Sequence, residues 1–279
     1  MTAKLTPQQV RAYERDGILF PIDVLDQSEV SKMVDGLAEV EESMGGNPKT
    51  EDLHQLFLHF RWAYDLATHP KVLDAVEGIL GPNFLLWATS LFSKQPHDPG
   101  FISWHQDGTY WGLDSDKVTS AWIALTDSSP ENGCMRVVAG SQAMPIQPHR
   151  DTYAENNLLS RGQEIAVDVS DKEATDVVLA PGEMSLHHVN IVHGSRANLS
   201  DKKRIGFVAR YLTPSVKPTG HLQPVVLARG ADTHENFELM QDPPNSNDVA
   251  AAVEAHLRSA REHMAALRQT TGAYQQSSE

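Results

Sequence analysis

From Asn83 onward the chain breaks into short runs rich in β-branched, aliphatic and aromatic residues, each bounded by turn formers: "FLLWATSLFSK", "VTSAWIALTD", "CMRVVAGS", "EIAVDV", "DVVLAPGE", "MSLHHVNIVHGS" and "RIGFVARYLTPS". Such a succession predicts an antiparallel sandwich or barrel rather than alternating β and α units. "SSPENGC" and "LAPGE" are tight turns on residue chemistry alone. The stretch before it has helical spacing. Thr6 suits an N-cap, Pro7 the first helical position and Gly17 the stop of a helix over "LTPQQVRAYERDG", which leads into an apolar strand "ILFPI". A second helix starts near Ser28, where Val30, Met33, Leu37 and Val40 recur at three and four, and a Gly-Gly pair ends it. "HQLFLHFRWAYDLATHP" and "KVLDAVEGILGP" predict further helical turns, and "NDVAAAVEAHLRSAREHMAALRQ" a terminal helix. The expected architecture is mainly β with flanking helices, in one domain: helices over about 1–82, a β core over about 83–216, and an extension with a helix over about 217–279.

Composition narrows the partners. Lysine and arginine number 23 against 37 acids, a formal charge of −14, which repels phosphate backbones and anionic lipid surfaces. Nucleic acid and membrane are therefore not expected, and a small-molecule substrate is. One cysteine, Cys134, excludes an internal disulfide framework and a cysteine-based zinc knuckle, and is expected to pack as a small apolar residue. With no apolar run of about 18 residues and no apolar core at the start, the expected location is the cytoplasm.

The chemistry gathers at "WHQDGTYWGL". In extended backbone, residues i and i+2 share a face, so His105 and Asp107 can present an imidazole and a carboxylate to one point. A third ligand must come from elsewhere in the β region, where His149, His187, His188 and His193 are available. Two histidines and one carboxylate make a facial triad with three positions open, the arrangement of non-haem Fe(II) rather than of a closed structural zinc site. Arg204 follows His193 by eleven residues, at the start of a new strand. A guanidinium there can grip the carboxylate of a keto-acid cosubstrate in bidentate fashion.

"HQD", the later "HGSRANLS" and the following Arg204 resemble the phytanoyl-CoA dioxygenase family of Fe(II)/2-oxoglutarate oxygenases, as do "LTPQQVRAYERDGILF", "AWIALTDSSPENGCMRVVAGSQ" and "RYLTPS", over most of residues 5–216. The resemblance implies a double-stranded β-helix, a cupin-like jelly roll with the metal at its mouth. It implies Fe(II) with 2-oxoglutarate and dioxygen as cosubstrates. It assigns His105, Asp107 and His193 to iron, Arg204 to the far carboxylate of 2-oxoglutarate, and Gln106, Trp122 and Ser195 to the lining of the cosubstrate pocket. The halogenating branch of the family has a small residue where Asp107 stands, so the carboxylate argues for hydroxylation or a related oxidation.

For the remaining residues two readings stand side by side. His187 and His188 alternate faces; His187 shares parity with His193 and is a substrate contact or a hydrogen-bonded core histidine. Tyr110 and Trp111 either wall a substrate cavity or simply pack. Arg210 shares strand parity with Arg204 and either meets an anionic substrate group in the cavity or points outward. The polar segment 145–164, with Arg150 and Arg161, reads as a lid or a surface excursion. Arg258, Arg261 and Arg268 form a solvated face on a terminal helix suited to packing or to a homo-oligomer contact. The expected substrate is a small polar metabolite, zwitterionic in the manner of an aminoalkylphosphonate or an amino-acid-like natural product, its anionic end facing Arg210 and the lid arginines. The rivals are a non-haem iron halogenase, a cupin-like metal-dependent hydrolase or isomerase, and an inactive binding protein.

Overall fold

The computed structural model describes residues 4–46, 48–159, 161–166, 173–219, 224–244 and 248–261. Helix α1 (Pro7–Asp16) begins as its residues dictate: the Thr6 hydroxyl accepts from the Gln9 backbone N–H while the Gln9 side chain accepts from that of Thr6, a reciprocal cap. Gly17, at φ 71°, ends it in the left-handed conformation that costs glycine nothing. Strand β1 (Ile18–Asp23) follows, then α2 (Gln27–Ser43), capped by an Asp26/Glu29 pair of the same kind. Two 3-10 turns, Thr50–Leu53 and Leu56–Leu58, lead to α3 (Arg61–Ala67) and α4 (Pro70–Leu80).

The β region holds β2 (Phe84–Lys94), β3 (Ile102–His105), β4 (Val118–Ala124), β5 (Met135–Val138), β6 (His149–Asp151), β7 (Gln163–Ile165), β8 (Thr175–Asp176), β9 (Glu183–His188), β10 (Val192–Ser195), β11 (Arg204–Leu212), β12 (Pro224–Arg229) and β13 (Glu238–Leu239). They form a seven-stranded sheet in the order β1-β9-β4-β11-β2-β12-β13, a four-stranded sheet β3-β10-β5-β8, and the hairpin β6-β7. Every pairing is antiparallel except β12 with β13.

The large sheet is covered on both faces, which is why its strands read as near-continuous apolar runs. On one face Ala121, Ile123, Phe207, Ala209 and Tyr211 pack with Leu37, Val40, Leu66, Val72 and Val76 of the helices. Burying a ring such as Phe207 contributes roughly 1.5–3 kcal/mol. The Tyr211 hydroxyl meets its polar need by donating to the Ala67 carbonyl at 2.6 Å. On the other face Phe92, Trp122, Ala124 and Val208 pack against Met135 and Val137 of the smaller sheet and Ile191 just before β10. Two sheets face to face over one core, with helices behind the larger, make the double-stranded β-helix. The functional side chains lie between the sheets.

Several boundaries differ from expectation. "MSLHHVNIVHGS" is two strands: the Asn190 N–H donates to the His188 ring and the Ile191 N–H to the His188 carbonyl, closing a turn that sends β9 into one sheet and β10 into the other. The extension adds β12 and β13 to the sheet edge, unforeseen because "PVVLAR" and the isolated pair "EL" carry little period-2 signal. Of "EIAVDV", residues 167–169 lie outside the described residues, as does Arg268. Residues 249–261 are helical, with Ala252 and Val253 in the main core and Arg258 and Arg261 exposed. Cys134 is free and buried, as expected. No helix among the described residues is long and apolar enough to cross a membrane.

Candidate metal centre and cosubstrate pocket

Strand β3 ends at His105, and the backbone folds into a 3-10 turn beginning at Asp107. The shared face is thus reached by a turn after the strand rather than by extended parity. Across the sheet His193 of β10 is the register partner of His105, and their ring centroids stand 4.1 Å apart. The Asp107 carboxylate faces both, Oδ1 at 3.3 Å from His105 Nε2 and Oδ2 at 4.0 Å from His193 Nε2. One ligand atom from each of the three lies within 4.8 Å of the others, and all three residues are buried.

The tautomers are set from behind. His105 Nδ1 donates to the Ser103 carbonyl at 2.9 Å and His193 Nδ1 to the Ile191 carbonyl at 3.0 Å, so both Nε2 lone pairs aim at the common point. Burial opposes ionisation of Asp107, but the contact with His105 and the charges of His193 and Arg210 outweigh it and hold the carboxyl below its usual range. Burial, helped by His105, pushes the His193 imidazole down to about 4. A carboxylate set between two imidazole Nε2 atoms is a donor set that fits a divalent metal.

The second group surrounds Arg204, the first residue of β11 and 1% exposed. Its guanidinium donates to the Gly133 carbonyl at 2.7 Å and lies 5.4 Å from the centre of the Trp122 ring, while its Nε has no hydrogen-bond partner. Among the described residues it has no carboxylate partner. Gly206 makes room for this stack: a Cβ there would come within 2.0 Å of the Trp122 ring. Ser195 joins the group through Lys94, which donates to the Ser195 hydroxyl at 2.7 Å and to the Arg196 carbonyl.

Lys94 escapes sequence reasoning. It closes an apolar strand as a solvent-facing lysine would, yet it is fully buried because register sets it opposite Arg204. Burial, then the charge of Arg204, pushes its amine down to about 6. Asn198 also goes unremarked: its amide donates to the carbonyls of Gln95 at 2.8 Å and Lys202 at 2.7 Å, bracing the loop between His193 and Arg204.

The other expected residues divide. Gln106 points away from the cosubstrate group. Its amide donates to the Asn190 carbonyl at 2.8 Å and accepts from the Gln147 N–H at 2.8 Å, so it braces the chain beside two ligands. His187 sits on β9, not on the strand of His193, yet the rings face each other at 5.3 Å across the sandwich. Trp111 packs on Trp87 and under the Arg210 guanidinium, 5.0 Å from its ring centre. Tyr110 packs on His149 and Arg161, its hydroxyl buried without a partner. The lid arginines do not face a substrate anion: Arg150 pairs with Glu164 and Arg161 with Asp151, within and beside the β6-β7 hairpin.

The family model of phytanoyl-CoA dioxygenase (PhyH) matches residues 13–206. A probable alpha-ketoglutarate-dependent hypophosphite dioxygenase of Stutzerimonas stutzeri is 29% identical over 160 residues, 54% of this chain and 54% of that protein. The peroxisomal phytanoyl-CoA dioxygenase of Homo sapiens is 30% identical over 135 residues, 47% of this chain and 40% of that protein. The chain spans about half the length of the curated relatives it matches. Among solved structures, ThoJ, a non-heme monooxygenase in its apo form, superposes with a TM-score of 0.81 at 31% identity, over 95% of this chain and 99% of that one. CytC3 with Fe(II) and alpha-ketoglutarate shares the fold, at a TM-score of 0.65 and 19% identity over 87% of this chain and 95% of that one.

Proposed function

The chain belongs to the phytanoyl-CoA dioxygenase family, and from that premise we propose that it is an Fe(II)/2-oxoglutarate-dependent dioxygenase that hydroxylates, or otherwise oxidises, a small polar metabolite. The observation that carries this reading is a buried acceptor triad, His105, Asp107 and His193, in a sandwich that also buries an arginine, Arg204, with no carboxylate partner among the described residues. Fe(II) held by the triad, with 2-oxoglutarate and dioxygen, supplies the oxidising power and yields succinate and carbon dioxide. The chain's own part is orientation and exclusion of water. Arg204, Ser195 and Lys94 hold the far carboxylate, Trp122 fixes the arginine, and the β6-β7 hairpin is tied to the ligand segment where His149 Nε2 accepts from the Gln106 N–H at 3.0 Å.

A hydrolase or isomerase on the same metal would have no use for Arg204, and Asp107 occupies the place a halogenase leaves for chloride. The likeness to a hypophosphite dioxygenase supports a substrate with an anionic head, including zwitterions such as aminoalkylphosphonates. Anaerobic addition of Fe(II) and 2-oxoglutarate should raise a weak visible charge-transfer band. Its absence, with both bound, would reject chelation.

Lys94 adds a proton signature. With its amine at about 6 in the fold against 10.5 when free, the unfolded chain holds more protons between those values, so this residue makes the cosubstrate-free fold more stable as pH rises across them. The 2-oxoglutarate dianion should restore the charge. Calorimetry at pH 8 in buffers of different ionisation heat should show uptake of about one proton per cosubstrate, lost in Lys94→Met. Equal uptake in the variant would overturn the assignment.

A further inference from the structure

A row of polar side chains runs across the inner face of the large sheet and ends on the metal centre. Arg210 of β11 is the register partner of Ser120 on β4, and Ser120 that of His187 on β9. Cross-strand partners share a face, so the three stand side by side, and the His187 ring lies 5.3 Å from the ring of His193. Each keeps a buried polar atom with no hydrogen-bond partner: Arg210 Nε, Ser120 Oγ and His187 Nδ1. Ser120 is wholly buried and His187 is 2% exposed. Orphaned polar atoms cost about 1–3 kcal/mol each, and three in a row mark a place shaped for something else.

The Arg210 guanidinium is aimed before any ligand arrives. It donates to the Ser90 hydroxyl at 2.7 Å, which leaves that hydroxyl's own proton for His54 Nδ1 at 2.7 Å, and it lies over the Trp111 ring. Among the described residues it has no carboxylate partner, whereas Arg150 and Arg161 of the hairpin are both paired. Arg204 and Arg210 share a face of β11 six residues apart, about 20 Å along an extended strand. They stand at opposite ends of one face of the strand, Arg204 buried and Arg210 half-buried, each without a carboxylate salt-bridge partner among the described residues. Arg204 is accounted for by the cosubstrate.

We propose that Arg210, Ser120 and His187 form the anion subsite for the primary substrate, which is therefore a small molecule carrying an oxyanion head, a carboxylate, phosphinate or phosphonate. The planar guanidinium matches two such oxygens, and the serine hydroxyl completes the donors. From Arg210 to His187 is two strand spacings, about 10 Å, part of it filled by the arginine itself. A head held there leaves the bond to be oxidised only a few atoms away, at the metal. This subsite is the substrate half of the site proposed above and rests on that reading.

The test reads binding, not turnover. Thermal melting of the metal-free protein is followed with acetate, hypophosphite, methylphosphonate or 2-aminoethylphosphonate, and with acetamide as the neutral control. At least one oxyanion should raise the melting temperature of wild type and of Arg204→Gln, acetamide should not, and Arg210→Gln should weaken binding about 100-fold. Arg210→Lys should recover part of the loss and Ser120→Ala should cost about tenfold, so these two carry the test if Arg210→Gln does not fold. An undiminished response in the Arg210 and Ser120 variants, a response lost only with Arg204, equal stabilisation by acetamide, or none by any oxyanion would each overturn the subsite. Failure of the Fe(II)/2-oxoglutarate reading shows separately, as a missing charge-transfer band in wild type.

Discussion

Asp107→Ala should abolish succinate formation, to below about 1% of wild type, and remove the Fe(II)/2-oxoglutarate charge-transfer band while the protein still folds. Among the described residues Asp107 is the one anion of the centre, set between two imidazoles whose Nδ1 protons are already given to the Ser103 and Ile191 carbonyls. With it gone, two neutral nitrogens remain, and these hold Fe(II) far less tightly than the charged triad. The fold has less to lose, since Asp107 lies on a 3-10 turn whose backbone bonds, Gly108 N–H to the Val189 carbonyl and Tyr110 N–H to that of Asp107, survive the substitution. His105→Ala should behave alike in activity. Thermal melting read beside succinate release separates lost iron from lost fold, and undiminished turnover in either variant refutes the triad.

What sequence could show and what it could not divide along a physical line. Local chemistry was legible: Thr6, Pro7 and Gly17 bound α1 as expected, and "FLLWATSLFSK" is strand from first residue to last. The chemical types of the triad and Arg204 were legible because few pockets need two histidines, a carboxylate and an unpaired arginine in that order. Register was not. Lys94 reads as a surface lysine until β2 is aligned on β11, when it falls opposite Arg204; Arg210 reads as either face until Ser120 and His187 line up beside it. Shared parity links His187 to His193 only where no turn intervenes; a turn at His188–Asn190 divides them, and the contact is made between sheets. The lid arginines illustrate the same limit, because Glu164 and Asp151 neutralise them only once β6 and β7 pair.

Arg204→Met should separate stability from function most sharply. In the cosubstrate-free protein Arg204 is an arginine without an acid, set beside Lys94, and burial pushes its guanidinium down to about 10. Replacing a buried, imperfectly paired charge with an apolar side chain of similar length is often neutral or stabilising by roughly 1–4 kcal/mol. Against that stands the Gly133 carbonyl, which loses its 2.7 Å bond at a cost of about 1–3 kcal/mol. The two effects nearly cancel, so the melting temperature without cosubstrate should stay close to wild type. Binding has no such compensation: the far carboxylate would be buried with Lys94 and Ser195 alone, and losing a buried charge partner costs about 2–5 kcal/mol, or roughly 30- to several-thousand-fold in 2-oxoglutarate affinity. Wild type at a hundred times its dissociation constant gains about 2.7 kcal/mol from the cosubstrate, a gain that should fall to about 0.9 kcal/mol or less in the variant at the same concentration. Melting curves of both proteins with and without 2-oxoglutarate decide the matter. A variant that still gains stability from the cosubstrate as wild type does would show that Arg204 is not its anchor, and one that unfolds without it would show that the arginine is held for the fold.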